Sequence, residues 1–426
     1  MRSLVLLLFV CLAVSLVPIS CVDPYEPDVR STVNVVVVDG TITNLAEQQV
    51  IRLNRSKADP RTGRFGSSPI TKATVEVVVD SAEAIACHET IDGSYQLPSD
   101  FKGQVGHAYQ LRFTLTDGTR YVSNQQVIQA VPPIDRLYSR FNRRSLPIPL
   151  SGFYTAGHDI QIDFADPADQ HNYYRWDWKL YEKQEYCKTC VKGFYSVYKP
   201  IEVFPPGGFY KSSSELLEDC FSPSTNSSDV DYKFDYPCRT RCWEIMYSYS
   251  LNLFDDQLSN GGLIVKRTVS QIPFYQNHPC LAEIRQGSLT KDAYQYFKLF
   301  QQQTQNTGGL ADTPPTALIG NIRNVADPSE AVIGFFTASA VSTKRHYLDR
   351  RDTEGIPFGS SDYKNPPEST GEQFFYALNL RKPILEPEPS NPGSYRLFVD
   401  DTQRPPTAIC APSESRTPFK PEGWPD

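Results

Sequence analysis

The segment that decides the fold runs from residue 109 to residue 123 and reads YQLRFTLTDGTRYVS. In residues 109–115 every second side chain is apolar, which is the pattern of a β-strand with one face buried and the other in water. Asp117 and Gly118 follow, a pair that favours a tight turn, and residues 121–123 resume the alternation. The segment therefore predicts a β-hairpin, and with it a β-rich chain.

Similar short strands surround this hairpin. Residues 33–38 (VNVVVV) and 73–80 (ATVEVVVD) are rich in β-branched side chains, and turns that contain Gly or Pro separate the apolar runs. Strands at this spacing predict a sandwich of about seven strands, of the immunoglobulin-like or transthyretin-like kind. We expect it to occupy residues 31–132 as an N-terminal domain, since Pro132 and Pro133 mark a boundary.

The rest of the chain, residues 133–426, predicts a larger β-rich domain with one main helix and a Pro-rich tail. Residues 173–180 (YYRWDWKL) alternate as a strand with many aromatic side chains. A helix is expected near residues 290–305, because apolar residues recur there at steps of three and four. The residues on this face are Leu289, Ala293, Phe297 and Phe300. The predicted fold class is therefore mainly β.

The N-terminus has the features of an export signal. Arg2 is followed by the apolar residues 3–17 and then by the small Ser20 directly before Cys21. This order resembles the bacterial lipobox, in which the cysteine sulfur receives a diacylglycerol. We expect residues 1–20 to be a removed signal peptide. The alternative is an ordinary secreted protein in which Cys21 merely lies near the cleavage site.

Lipidation of Cys21 would anchor the protein to a membrane. Each buried CH₂ of an acyl chain contributes about 0.8 kcal/mol, so two or three chains give a nearly permanent attachment. Residues 21–30 are then the tether that joins the anchor to the first domain.

The cysteines that follow Cys21 suit an oxidising compartment, where disulfides form. The disulfide candidates are Cys187, Cys190, Cys220, Cys238, Cys242, Cys280 and Cys410. We expect Cys187 and Cys190 to be oxidised, either with each other or with partners among Cys220, Cys238, Cys242 and Cys280. We favour long-range pairs, because they restrict the unfolded chain most, and we consider Cys280 as a partner for Cys410 in the tail. The alternative is a zinc site made by Cys187 and Cys190 with Cys238 and Cys242.

No catalytic motif is evident in the sequence, and we expect no enzymatic activity, no cofactor and no metal. The pairs Asp255-Asp256 and Asp400-Asp401 could flank a sugar bond or bind Ca²⁺, so a surface-anchored hydrolase of glycans or peptides is the alternative. Adjacent carboxylates in loops are, however, usually only solvated. The net charge of −7 and the lack of a long basic run argue against a nucleic-acid partner.

An aromatic-rich loop in the second domain is the candidate contact surface, because its large apolar side chains cannot all be buried. Its residues are Phe194, Tyr195, Phe204, Phe209 and Tyr210.

Several short motifs, in a characteristic order, carry a resemblance to a known family. They include residues 38–42 (VDGTI), 92–95 (DGSY), 288–297 (SLTKDAYQYF) and 327–336 (DPSEAVIGFF). The chain resembles, over nearly its whole length, a family of Bacteroidota outer-membrane lipoproteins known only as a domain of unknown function.

The resemblance implies a cellular location and a binding partner for the protein. Such proteins are typically encoded beside TonB-dependent outer-membrane receptors, which implies a non-catalytic role in ligand capture, uptake or receptor assembly. It also implies lipid anchoring at the outer membrane, and it leaves open whether the protein faces the periplasm or the cell surface.

Overall fold

The structure of the protein, a computed structural model, describes the following residues: 35–58, 65–147, 154–168, 170–191, 194–203, 210–221, 233–248, 250–259, 261–304, 318–357, 386–388, 391–396 and 407–426. Within them the protein is mainly β, with multiple sheets and one α-helix, as the alternating patterns predicted.

The first part of the chain forms strands β1 (Val36–Thr43), β2 (Val50–Ala58), β3 (Phe65–Pro69), β4 (Thr74–Val79), β5 (Glu83–Ala86), β6 (His88–Ile91), β7 (Ser94–Gln96), β8 (Ala108–Thr114), β9 (Arg120–Ser123) and β10 (Gln126–Val127). The predicted hairpin is present, because β8 and β9 pair antiparallel with Phe113 opposite Tyr121. The side chains of Tyr109, Leu111 and Phe113 are buried, which confirms the predicted alternation.

The middle of the chain forms β11 (Arg136–Pro147), β12 (Tyr154–Asp166), β13 (Tyr173–Lys183), β14 (Tyr186–Val191), β15 (Phe194–Val203), β16 (Tyr210–Phe221), β17 (Lys233–Pro237), β18 (Trp243–Tyr247), β19 (Asn252–Asp255), β20 (Gly262–Pro273) and β21 (Cys280–Leu289). The last part forms α1 (Lys291–Thr304), β22 (Ile322–Asn324), β23 (Val332–Ser339), β24 (Val341–Leu348), β25 (Glu386–Glu388), β26 (Asn391–Arg396) and β27 (Arg416–Thr417).

Two sheets form the first sandwich. One has the order β23-β1-β2-β7-β6 with β3 on β2, and the other has the order β22-β9-β8-β4-β5 with β10 on β8. Side chains from both sheets, such as Ile51 and Leu53 of β2 and Leu111 of β8, meet in one buried apolar core. Burial of this apolar surface is the main source of stability for such a layered fold.

The first sandwich extends beyond the expected boundaries of residues 31–132. Strand β23 pairs in parallel with β1, and β22 pairs antiparallel with β9, so a segment that follows the helix completes both sheets. Each added strand covers an edge that would otherwise present unpaired backbone groups. Gly334 is required in this register, because it has a φ of +105° and a Cβ there would lie 1.8 Å from the carbonyl oxygen of Val38.

Two further sheets form the second sandwich. Their orders are β11-β12-β20 and β24-β21-β13-β18-β27, with β19 also on β13. The aromatic strand β13 lies in the middle of the larger sheet, and its Tyr174, Trp176 and Trp178 are buried in the shared core. Smaller hairpins are formed by β14 with β17, β15 with β16, and β25 with β26.

The helix α1 confirms the expectation of a helix near residues 290–305. Thr290 accepts a hydrogen bond from the backbone N–H of Ala293 and so caps the first turn. Ala293 packs with Leu289 of β21 and with Phe335 of β23. The helix therefore lies where the two sandwiches meet. No helix in the described part of the chain is long and apolar enough to cross a membrane.

The C-terminal tail docks on the second sandwich. Strand β27 pairs with β18, and Cys410 is bonded to Cys242. The ring of Trp424 lies 6.0 Å from that of Trp243 and 5.5 Å from that of Tyr347. The end of the tail is thus held by strand pairing, a covalent bond and aromatic contacts.

Candidate functional site

A cleft of about 710 Å³ lies between the two sandwiches. One wall is formed by β1, β2 and β23 of the first sandwich, and the other by β13, β18 and β21 of the second. The C-terminal tail contributes Ser413 and Glu414. Clefts at the junction of two units are common ligand sites, because both walls can supply polar groups.

Glu47 connects the two walls. It lies between β1 and β2, and its carboxylate oxygens lie 2.6 Å from Nζ of Lys179 on β13 and 2.8 Å from Nη2 of Arg285 on β21. Burial alone would raise the pKa of Glu47, but the charges of Arg285 and Lys179 hold the pKa of this carboxyl below its usual range. Glu47 is therefore ionised at neutral pH and acts as an ionic bridge between the sandwiches.

The network of ion pairs continues on both sides of Glu47. Nε of Arg285 lies 3.5 Å from an oxygen of Asp177. Arg52 of β2 contacts both carboxylate oxygens of Glu414 at 3.0 Å and lies 3.8 Å from Asp39. Both contacts with Glu414 come from the single nitrogen Nη2 of Arg52, so they form an ion pair without the parallel two-nitrogen fork of the strongest arginine–carboxylate contacts. The tail is thereby attached to the first sandwich as well as to the second.

Arg175 is the cation of the cleft that has no carboxylate partner among the described residues. It lies on β13, and its guanidinium carbon lies 4.9 Å from the ring centroid of Phe297 on α1. Its Nε atom is buried and has no hydrogen-bond partner in the described part of the chain. A planar guanidinium in this state suits an anionic group of a ligand, such as a carboxylate or a phosphate.

Replacement of Glu47 by glutamine is expected to lower the free energy of unfolding by about 1–2 kcal/mol at pH 7, because Lys179 and Arg285 lose their shared carboxylate. A carboxyl group whose pKa is lower in the folded than in the unfolded state stabilises the folded protein at any pH above its unfolded pKa. This contribution is lost as the pH falls through the pKa of the folded state. The difference between wild type and E47Q in urea unfolding should therefore shrink on acidification below about pH 4.5, the unfolded value.

The matched control for this prediction is Glu422→Gln. Glu422 pairs with Arg345 at 3.3 Å, but its side chain is 94% exposed. We expect this change to have little effect at any pH, since exposed pairs contribute little. A difference for E47Q that stays constant from pH 7 to pH 3 would contradict the ionic role of Glu47.

The disulfides join distant parts of the second region. Cys187 is bonded to Cys238, 51 residues later, and Cys242 to Cys410, 168 residues later. Cys220 is also disulfide-bonded. The expectation of long-range pairing is thus confirmed for these bonds. The sulfurs of Cys187, Cys238 and Cys242, three of the four cysteines in the zinc alternative, lie close together, but all three are used in the two disulfides.

Cys280 corrects one expectation. It was considered as the partner of Cys410, but it is a free thiol, as is Cys87. Cys280 begins the central strand β21 and is fully buried, with its sulfur 3.4 Å from Nη2 of Arg350. Cys410 is bonded to Cys242 instead, and burial raises the pKa of the Cys280 thiol to about 12.

Other predicted site residues lie outside what the structure describes. This holds for the anchor residue Cys21, for the carboxylate pair at residues 400–401, and for Phe204 and Phe209 of the candidate contact surface. The remaining residues lie within strands, but their side chains are not described. They are Cys190, Phe194, Tyr195 and Tyr210. The lipidation site and the aromatic contact surface therefore stay predictions.

Asp255 and Asp256 do not line the cleft. They lie at the end of β19, where His171 contacts both carboxylates. The acidic pair noticed in the sequence is thus part of a real cluster, but the cleft residues Glu47 and Arg285 were not predicted. One sequence pattern could have indicated the cleft. Every second residue of β13 is charged at Arg175, Asp177 and Lys179, which places three charges on one face of a strand whose other face is aromatic.

Together these features define a mainly β, disulfide-bonded protein of two sandwiches with a charged cleft between them. The chain belongs to the family described as Domain of unknown function (DUF4249), whose sequence profile matches residues 22–345. This confirms the expectation of a family of unknown function. No curated protein matches the chain.

One solved structure, from Corynebacterium diphtheriae and described as a membrane anchored protein, shows a weak similarity. It is 10% identical, the similarity covers 60% of this chain and 54% of that one, and the TM-score is 0.15. A score this low carries no argument about fold or function.

Proposed function

We propose that the protein is a non-catalytic lipoprotein, anchored through Cys21 at the outer membrane of a Bacteroidota bacterium, that works with a TonB-dependent receptor. Its role is to capture a ligand, to assist its uptake or to assist assembly of the receptor. The observation that carries the proposal is the charged cleft between the sandwiches, in which Arg175 has no carboxylate partner among the described residues and is available to another molecule.

Two further observations support an exported and anchored protein. Disulfides such as Cys242–Cys410 are typical of oxidising compartments outside the cytoplasm. The match to the family begins at residue 22, directly after the candidate anchor Cys21. Both agree with a mature protein that starts at Cys21 and continues as the folded domain.

The state of the cleft carboxylates favours binding over hydrolysis. A glycosidase needs one carboxylic acid whose pKa is raised, so that it can protonate the leaving group. Glu47 has a lowered pKa instead, and Asp39 and Glu414 both contact Arg52. These groups position the walls of the cleft, while Arg175 remains available to an anionic part of a ligand or partner.

The proposal is tested by affinity purification from native membranes of the source bacterium, with the tag at the C-terminus. We expect wild type to carry labelled fatty acid and to recover an outer-membrane β-barrel receptor. The Cys21→Ser variant should fold and keep its disulfides, but it should lack the label and the membrane attachment. Recovery of no barrel protein with wild type, or labelled fatty acid on the serine variant, would contradict the proposal.

A further inference from the structure

A cluster of potential metal ligands lies outside the cleft, where β19 ends beside the start of β13. One nitrogen of His171 and one oxygen each of Asp255 and Asp256 lie within 4.8 Å of one another. Nε2 of His171 lies 2.5 Å from Oδ1 of Asp255 and 3.7 Å from Oδ1 of Asp256. A cluster of acidic residues alone would carry no conclusion, because such groups are commonly just solvated.

The carboxylate of Asp256 is buried, and only one of its two oxygens is hydrogen-bonded in the described part of the chain. Its side chain has 0% exposure. One oxygen, Oδ2, accepts hydrogen bonds from the backbone N–H and the side-chain amide of Asn172, at 2.9 and 3.0 Å. The other oxygen, Oδ1, has no hydrogen-bond partner within the described residues. A buried carboxylate oxygen that lacks a hydrogen bond is energetically unfavourable. A cation bound at Oδ1 would supply the missing interaction.

His171 and Asp255, the other two candidate ligands, lie nearer to solvent than Asp256, and each has a contact that fixes its position. The ring of His171 stacks on Tyr173 with centroids 4.6 Å apart, which fixes its orientation. Oδ1 of Asp255 also accepts a hydrogen bond from the backbone N–H of Gln257 at 2.9 Å. The side chain of His171 is 41% exposed, so an ion can enter from water without passing through the core.

We propose that His171, Asp255 and Asp256 form a binding site for a divalent transition metal ion, with Zn²⁺ as the best match. An imidazole nitrogen with carboxylate oxygens suits zinc, which binds both donor types at about 2.0–2.2 Å. Three protein ligands leave a coordination position open for water or for a group of a partner. Asn172 supports the site by holding Asp256 so that Oδ1 faces His171, as outer hydrogen bonds do in metal sites.

Binding requires only a small local change. Nε2 of His171 and Oδ1 of Asp255 are within hydrogen-bond distance; the metal would take the place of any proton between them, and that proton would leave to solvent. Metal binding at such a site displaces bound protons and so weakens at acidic pH. The ion would tie the end of β19 to the segment before β13, which is next to the helix that joins the two sandwiches.

The test is calorimetric titration of the full chain, made without a polyhistidine tag and treated with chelator, with ZnCl₂, MnCl₂ or CaCl₂. We expect one equivalent of Zn²⁺ to bind, with weaker binding of Ca²⁺. The variants His171→Ala and Asp256→Asn should each weaken Zn²⁺ binding at least about tenfold, the scale seen for altered metal sites. The exposed His88→Ala is the matched control and should bind Zn²⁺ as wild type does.

Two outcomes would overturn this proposal. Wild type that binds none of the three ions would show that His171 and the carboxylates form only an ion pair. Unchanged Zn²⁺ binding in both H171A and D256N would place the ion elsewhere. Circular dichroism of each variant checks that the sheets are intact, so a loss of binding is not mistaken for unfolding.

Discussion

Replacement of Arg350 by methionine is expected to lower the free energy of unfolding by about 3–5 kcal/mol, because it leaves a buried carboxylate without its cation. Arg350 and Glu182 are both buried, and Nη2 of Arg350 lies 3.4 Å from Oε1 of Glu182. Tyr275 and Gln276 also donate hydrogen bonds to this carboxylate. Burial raises the pKa of Glu182 to about 8, and the charge of Arg350 opposes that shift. Without Arg350, Glu182 must either stay charged in the core or take up a proton there, and both states are less stable than the buried pair.

Arg350 also holds the chain that precedes the strand β21. Its Nη1 donates hydrogen bonds to the backbone carbonyl oxygens of Gln276 and His278, at 3.0 and 2.8 Å. The double change Arg350→Met with Glu182→Gln removes the buried ionisable group that has lost its cation, and it should recover part of the loss. The control Arg345→Met removes a cation that pairs with Glu283 but is 31% exposed, and it should have a smaller effect. Urea unfolding curves of equal stability for R350M and wild type would contradict this account.

Replacement of Cys242 and Cys410 by alanine is expected to destabilise the protein by roughly 3–5 kcal/mol and to release the tail. The bond closes a loop of 168 residues, and the stabilising effect of a disulfide grows with the length of the loop that it restricts. The tail would then depend on the short pairing of β27, the contacts of Trp424 and ion pairs such as Arg52–Glu414 and Arg345–Glu422. We expect a lower urea midpoint together with rapid proteolysis of residues 407–426.

The free thiol offers the matched control for this prediction. Cys87 forms no disulfide, so Cys87→Ala removes a cysteine without opening a loop and should change the midpoint little. Reduction of wild type with dithiothreitol should lower the midpoint at least as much as the double alanine variant does, because it also opens Cys187–Cys238. A tail that remains protected from protease in the double variant would show that β27 and Trp424 hold it without the bond.

The features that could be predicted from the sequence are those that depend on the local periodicity of apolar residues. The hairpin at residues 109–123 and the helix α1 were both identified, because alternation and steps of three and four are properties of neighbouring residues. The pairing of β23 with β1 could not be predicted, since register between distant strands depends on three-dimensional packing. Pro132 lies in a segment without regular structure between β10 and β11, but both sheets of the first sandwich take strands from beyond it.

The cleft was missed for the same reason. Nothing in the sequence distinguishes Glu47, Lys179 and Arg285 from other charged residues. They come together only where the two sandwiches meet. The connectivity of the cysteines was likewise open, because the number of possible pairings is large. In contrast, the pair Asp255-Asp256 was noticed from the sequence alone, although the contribution of His171 was not.

The most direct test of the central claim is photo-crosslinking from the cleft in living cells. A benzophenone amino acid in place of Gln48, which is exposed and lines the cleft, should crosslink to an outer-membrane β-barrel receptor. The same amino acid in place of Lys102, which is exposed but does not line the cleft, should not. A protein that is attached to the membrane yet captures no barrel protein from position 48 would contradict the claim that the cleft serves a receptor.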